Sequence, residues 1–165
     1  MKEARHLAQL NVGRLRAEPG DPAVAEFMGA LDRVNGIGKR SPGFVWMMEG
    51  SGEPGTGNTD AKIDGDPRHV FNLTVWTDVE SLEHFVWNTV HRQFYRRRKA
   101  WFEVLDEPHF VMWWVPVGHR PSQPEALEKL GRLQREGPSE EAFDWAWLEA
   151  AQLWRRHQCA EPAAS

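Results

Sequence analysis

The chain predicts an α+β fold, on the strength of two periodicities and the order in which they occur. Four short stretches alternate apolar and polar residues or run continuously apolar, as strands do. The stretches between them repeat apolar residues every three or four positions, as helices do. Over the first 117 residues the order is strand, helix, strand, strand, helix, strand.

Each element has its own justification. His6 to Leu15 alternates, with Gln9 and Asn11 on one side and Leu10 and Val12 on the other. Asp21-Pro22 supplies a carboxylate cap and a proline for a helix start, Val24, Phe27, Met28, Leu31 and Val34 form its apolar stripe, and Gly36 and Gly38 are expected to end it. Phe44 to Met48 is a short apolar strand, followed by a glycine-rich stretch over 50–67 that is either a lid or a merely mobile loop. His69 to Trp76 sets Asn72, Thr74 and Trp76 on one side and Phe71, Leu73 and Val75 on the other. A helix from Asp78 carries Val79, Leu82, Phe85 and Val86, with a break expected at Asn88-Thr89 before a second segment that Glu107-Pro108 stops. His109 to Val117 is apolar on both faces, which places it inside a sheet or within an interface.

The remainder reads as a helical extension. Ser122 and Glu125 make a capping box for a helix with Leu127, Leu130 and Leu133, and Gly137-Pro138 terminates it. Ser139 is expected to cap a last helix with Phe143, Trp147, Leu148, Ala151 and Trp154 in its stripe. The expected organisation is a barrel-forming domain over 1–120, a helical extension packed on it over 121–158, and a fraying tail over 159–165.

Bulk properties narrow the function. A net charge of -4 and a pI near 6.0 argue against a nucleic-acid partner, and no apolar run approaches membrane-spanning length. With a single cysteine, Cys159, and no secretory leader pattern, a cytoplasmic protein without metal is expected. Nine tryptophans against one tyrosine supply flat apolar area suited to a core or to the walls of a pocket for planar ligands.

Phosphate-binding loops, dinucleotide fingerprints, nucleophile elbows and zincin motifs are missing from the sequence. Chemistry therefore rests on dispersed side chains. His84, Asn88, His91, Tyr95 and Arg98 recur at spacings of three and four, so they form either the polar wall of a pocket or a solvated face. His91 can titrate near neutrality.

The segments HLAQLNVGRLRA, DPAVAEFMGALDRVN, SPGFVW, VFNLTVW, SLEHFVW, HRQFYRRRKAWFE and HFVMWWVPVGHRPS, in that order, resemble an uncharacterised bacterial family, domain of unknown function three-two-nine-one. The resemblance spans residue 6 to about 143, leaving the last helix as an addition. More distantly the chain resembles the antibiotic biosynthesis monooxygenases of the dimeric α+β barrel superfamily. That resemblance implies a ferredoxin-like βαββαβ subunit whose sheet pairs with its twin, a homodimer, with a pocket between sheet and helices in each subunit. In haem-degrading members an asparagine of the first strand, a tryptophan ending the third and a histidine on the second helix do the work. Asn11 and Trp76 fall at the first two places, while Phe85 stands at the histidine place with His84 beside it and His91 further on.

The expected function is cofactor-independent, monooxygenase-like oxidation of a flat aromatic or polyketide-like molecule in natural-product metabolism. His91, Asn11 and Trp76 are the catalytic candidates; Gln9, Trp46, Asn72, His84, Tyr95, Arg98, Trp101 and Trp113 are the substrate-binding ones. The alternatives are a haem-dependent enzyme of the same fold, with His84, His91 or His109 as axial ligand, and a non-catalytic module that binds a small molecule or stabilises a partner.

Overall fold

The computed structural model describes residues 4–49, 66–89 and 91–151, and within the helical stretch after residue 90 the side chains of Phe94 and Tyr95 fall outside the description. Most of the glycine-rich stretch and the tail with Trp154, His157 and Cys159 lie outside the described residues.

Four strands, β1 (Arg5–Arg14), β2 (Phe44–Met47), β3 (His69–Trp76) and β4 (Phe110–Pro116), form one antiparallel sheet in the order β2-β3-β1-β4. The helices between them are α1 (Ala25–Arg40), α2 (Val79–Asn88), α3 (His91–Arg96) and α4 (Arg98–Trp101); α5 (Gln123–Glu136) follows the sheet. β1 is the central strand, pairing Asn11 with Asn72, Gln9 with Thr74 and Leu7 with Trp76 on one side and Leu10 with Val111 on the other.

Because side chains alternate across a strand, this register sorts the sheet into two unlike faces. Ala8, Leu10, Phe71, Leu73, Val75, Val111, Trp113 and Val115 share the outer face, where Ala126, Leu130 and Leu133 of α5 bury them. On the inner face Leu7, Trp76 and Met112 pack against Val79, Leu82 and Phe85 of the α2 region, with Val34 and Ile37 of α1 beside them. A third cluster, Leu15, Val24 and Trp101 with Phe27 and Phe102, closes one end of that face.

α5 therefore covers the sheet face opposite α1 and α2. The twin-sheet pairing implied by the resemblance would use that face, and here Ala8, Leu10, Phe71, Leu73 and Val111 are already at 0% exposure within one chain. Ser122 accepts the Glu125 N–H at the start of α5, and Gly137, at φ 77°, ends it.

Four expectations change in detail. Asp21 caps a single 3-10 turn, Pro22–Val24, which leads into α1. α1 runs through Gly36 and Gly38 to Arg40; a Cβ at Gly38 would stand 3.3 Å from the Phe85 ring, so that glycine serves close packing rather than termination. β4 lies at the edge of the four strands rather than inside; α5 covers its outer-face residues Val111, Trp113 and Val115, while Phe143 bridges Met112 along its edge and sets its ring against Trp114 on the inner face. The last helix begins at residue 145 rather than 139, since Asp144 accepts the Trp147 N–H at 2.9 Å while Phe143 exchanges two backbone hydrogen bonds with Met112. The break at Asn88-Thr89 is present, with α2 ending at Asn88 and α3 opening at His91.

Gly43, in the turn from α1 into β2, packs against the start of α2, its carbonyl accepting the Thr77 N–H at 2.8 Å. It sits at φ 82°, and a Cβ there would lie 2.0 Å from the Ser81 hydroxyl and 2.3 Å from its Cβ. Gly43→Ala combines a left-handed backbone with a clash between two ordered elements, and is expected to cost about 2 kcal/mol or more, read as a lowered urea midpoint with an unchanged m-value.

Candidate functional site

The helix-facing side of the sheet carries polar groups where a core would place apolar ones. Down β1 and β3 run the pairs Gly13 with Val70, Asn11 with Asn72, Gln9 with Thr74 and Leu7 with Trp76. Gln9 is 5% exposed and Thr74 3%, so their polar atoms need partners inside the protein. They find them in each other: Gln9 Nε2 donates to Asn72 Oδ1 and to Thr74 Oγ1, both at 2.7 Å, and Trp76 Nε1 donates to Thr74 Oγ1 at 2.8 Å. Thr74 is thus the acceptor on which two buried donors converge.

One end of this ladder is an aromatic column. Trp76, 1% exposed, meets Phe44 edge-on at 5.5 Å and stacks on Phe85 at 5.3 Å and 24°; Phe85 in turn meets the His91 ring at 5.0 Å. The other end is closed by Phe102, whose ring crosses β1 at Gly13, where a Cβ would lie 2.7 Å away. Between the two ends Asn11 is exposed and Asn72 half-buried. Phe110, the β4 neighbour of Asn11, is half-buried and stacks on Trp145 at 5.8 Å. The result is a pair of amides set between aromatic surfaces, with the Gln9–Thr74–Trp76 bonds holding Asn72 from behind.

His91 lies at the opening of α3, half-buried, its Nδ1 3.3 Å from the Val86 carbonyl oxygen. A carbonyl can only accept, so the Nδ1 carries the proton and Nε2 is the basic atom of the neutral ring. Burial holds the imidazole below its ordinary 6.5, with the Val86 hydrogen bond pulling the other way. The ring is consequently neutral at physiological pH, the form able to take a proton.

The candidates named from sequence fall into groups. Gln9, Asn11, Asn72 and Trp76 share the inner face, and His91 reaches Trp76 through Phe85. Trp46 and Trp113 pack into the outer-face layer, where the Trp113 indole N–H donates to Glu125 of α5 at 3.2 Å. Trp101 is buried among Leu15 and Val24 at the far end of β1. His84 is exposed on α2, and Arg98 is exposed at the start of α4. Tyr95's side chain lies outside the described ones. Phe85, Phe102, Phe110 and Trp145 escaped sequence reasoning as site residues; Thr74 was legible, since it shares the face of Asn72 and Trp76.

Among the described residues no three His, Cys, Asp or Glu side chains gather to hold a metal ion. Of the axial positions considered for haem, His84 and His109 are exposed, and the His91 ring meets Phe85 at 5.0 Å. No described helix is long and apolar enough to cross a membrane.

Sheet and site together define an α+β protein with a polar, partly open inner sheet face beneath helices. Residues 6–159 match the family described as Domain of unknown function (DUF3291), and the chain belongs to it; the match extends past residue 143, so the last helix, expected to be an addition, lies within the family's span. No curated protein matches the chain. Among solved structures, SnoaB, a cofactor-independent oxygenase from Streptomyces nogalater, is 17% identical with a TM-score of 0.46, over 74% of this chain and 100% of its own. PA3566 from Pseudomonas aeruginosa is 14% identical with a TM-score of 0.45, over 74% and 100%.

Two outcomes are expected. Thr74→Val leaves the Gln9 and Trp76 donors without their shared acceptor, costing about 2–4 kcal/mol by urea denaturation. His91 makes stability pH-dependent: below about 6.5 the unfolded chain takes up a proton that the folded ring resists. Stability should fall with decreasing pH through that window, by at most about 1.4 kcal/mol per unit, and then level once the folded ring is charged; His91→Gln should flatten this slope.

Proposed function

We propose that the chain is a small-molecule oxidoreductase of the cofactor-independent monooxygenase kind, acting on a flat, electron-rich aromatic compound. The observation that carries the reading is the pairing of two accessible strand amides, Asn11 and Asn72, with a neutral, half-buried histidine linked to the same sheet face through Phe85 and Trp76. An acidic phenol or anthrone needs three things before it reacts with dioxygen: loss of a proton, stabilisation of the resulting oxyanion, and a flat apolar berth. His91 Nε2 is the proton acceptor, and its depressed affinity for protons keeps it unprotonated. Gln9 takes the Asn72 oxygen, which turns the Asn72 NH2 into the end available to donate to an oxyanion beside Asn11. Phe102 and Phe110 flank that position. The deprotonated substrate is itself the electron donor to dioxygen, and the resemblance to antibiotic biosynthesis monooxygenases implies the same class of chemistry.

In this reading Trp76 is a support rather than a wall, since it is buried and its N–H is held by Thr74. Catalysis needs no second subunit in contact with the amides, because both come from one chain.

Anthrone oxidation followed on an oxygen electrode tests the reading: anthrone and dioxygen should give anthraquinone and water in equal amounts. The rate should rise with pH along a limb lying below 6.5. His91→Gln should remove that limb and lower kcat about 100-fold, while Asn72→Ala, which loses an oxyanion donor, should lower it about 10- to 100-fold. Uptake of dioxygen no faster than in protein-free buffer, across anthrone and electron-rich phenols, would sink the proposal.

A further inference from the structure

Gly13 is the only glycine of β1, and it stands two positions beyond Asn11 on the same face, about 7 Å along the strand. A glycine within a strand weakens it, and its use is to let another group lie close to the backbone. Here that group is the Phe102 ring. The three heavy atoms nearest to a Cβ at Gly13 all belong to it, Cδ1 and Cε1 at 2.7 Å and Cγ at 3.7 Å. The ring therefore takes up, from a different segment, the volume that a side chain at position 13 would fill.

Phe102 is fixed there by its backbone and by its neighbours. It bridges Leu15, with the Arg16 N–H donating to the Trp101 carbonyl and the Glu103 N–H to the Arg14 carbonyl, each at 2.8 Å. The Glu103 carboxylate accepts from the Arg14 guanidinium at 3.0 Å, and the Phe27 ring of α1 meets the Phe102 ring edge to face at 4.9 Å and 79°. Phe102 is half-buried, and Asn11, the preceding residue on that face of β1, is exposed. A held aromatic ring thus stands on the strand next to the accessible amide.

We propose that the Phe102 ring over Gly13 is the end-stop that sets the length of flat ligand taken by the Asn11–Asn72 face, admitting three linearly fused rings and excluding a fourth. This rests on the reading of that face as a site for anthrone-sized compounds. Without the ring, the strip of glycine backbone beside Val70 is a flat berth for one ring more.

Quenching of tryptophan fluorescence by 1-hydroxyanthraquinone, with three rings, and by 6-hydroxytetracene-5,12-dione, with four, tests the assignment on the full chain. The three-ring probe should bind about tenfold or more tightly, because the longer one meets a ring that cannot yield. Phe102→Ala, checked for folding by circular dichroism, should raise the affinity of the four-ring probe to about that of the three-ring one. Gly13→Val/Phe102→Ala, which refills the berth from the strand, should restore the discrimination, and a loss of packing alone would not be repaired in this way. Equal affinity for the two probes in the unaltered chain, an unchanged preference in Phe102→Ala, or a double variant that still takes the four-ring probe overturns the end-stop and leaves the oxidative reading in place. Both probes are already oxidised, so the expected binding pattern without anthrone oxidation sinks that reading alone. Failure of both probes to bind overturns the end-stop, since no ligand site then remains for it to close.

Discussion

β1 is the constraint on which the rest of the structure depends. It is paired along both edges, so its alternation decides what each face of the sheet becomes. Leu7, Ala8 and Leu10 are at 0% exposure, while Gln9 between them is almost as buried. A slip of one residue would carry Gln9 and Asn11 into the layer under α5 and bring Ala8 and Leu10 beneath the helices. That exchange would strand two amides among Leu130, Leu133 and Val111, at a cost of several kcal/mol for each unpaired group. The register is therefore specified as much by where the polar side chains can be satisfied as by where the apolar ones can be buried.

The two faces are closed by different means, one with a continuous apolar layer and the other with polar groups left accessible. The outer face is a continuous apolar layer under one amphipathic helix, pinned at its start by the Ser122 cap and by the Trp113–Glu125 hydrogen bond. The inner face has α1, α2 and the segment from Phe143 to Leu148 arranged around it, leaving Asn11 and Asn72 accessible near its middle.

Much of this was legible in the sequence because it follows from local periodicity. The order of strands and helices, the helix start at Asp78, the Ser122 cap, the break after Asn88 and the common face of Asn72, Thr74 and Trp76 all come from spacings within a few residues. What escaped was long-range. Whether Trp113 walls a pocket or fills a core depends on which side α5 packs, and no spacing within the strand records that. Gly38 looked like a helix end because its use, admitting the Phe85 ring, lies 47 residues away in the chain (85 minus 38). The start of the last helix shifted for the same reason: Phe143 is drawn into a bridge with Met112 that outweighs a local capping signal at Ser139.

The aromatic column sets the surroundings of the histidine. A histidine on a short exposed helix would keep its usual proton affinity and a freely rotating ring. His91 keeps neither, because Phe85 holds one face of the ring and the Val86 carbonyl fixes the Nδ1 tautomer. Phe85 can do this only because it is itself held, stacked on a tryptophan whose N–H is fixed by Thr74. Thr74 is in turn bound to Gln9, and Gln9 to Asn72. One chain of contacts thus runs from the accessible amide on the sheet to the basic nitrogen on the helix. A histidine at the Phe85 position would break that chain at its centre, placing a polar ring between Trp76 and Gly38 where the packing offers no partner within the stack. The phenylalanine there therefore belongs to the stack, and the nearest histidine to it stands across the break between α2 and α3, at His91.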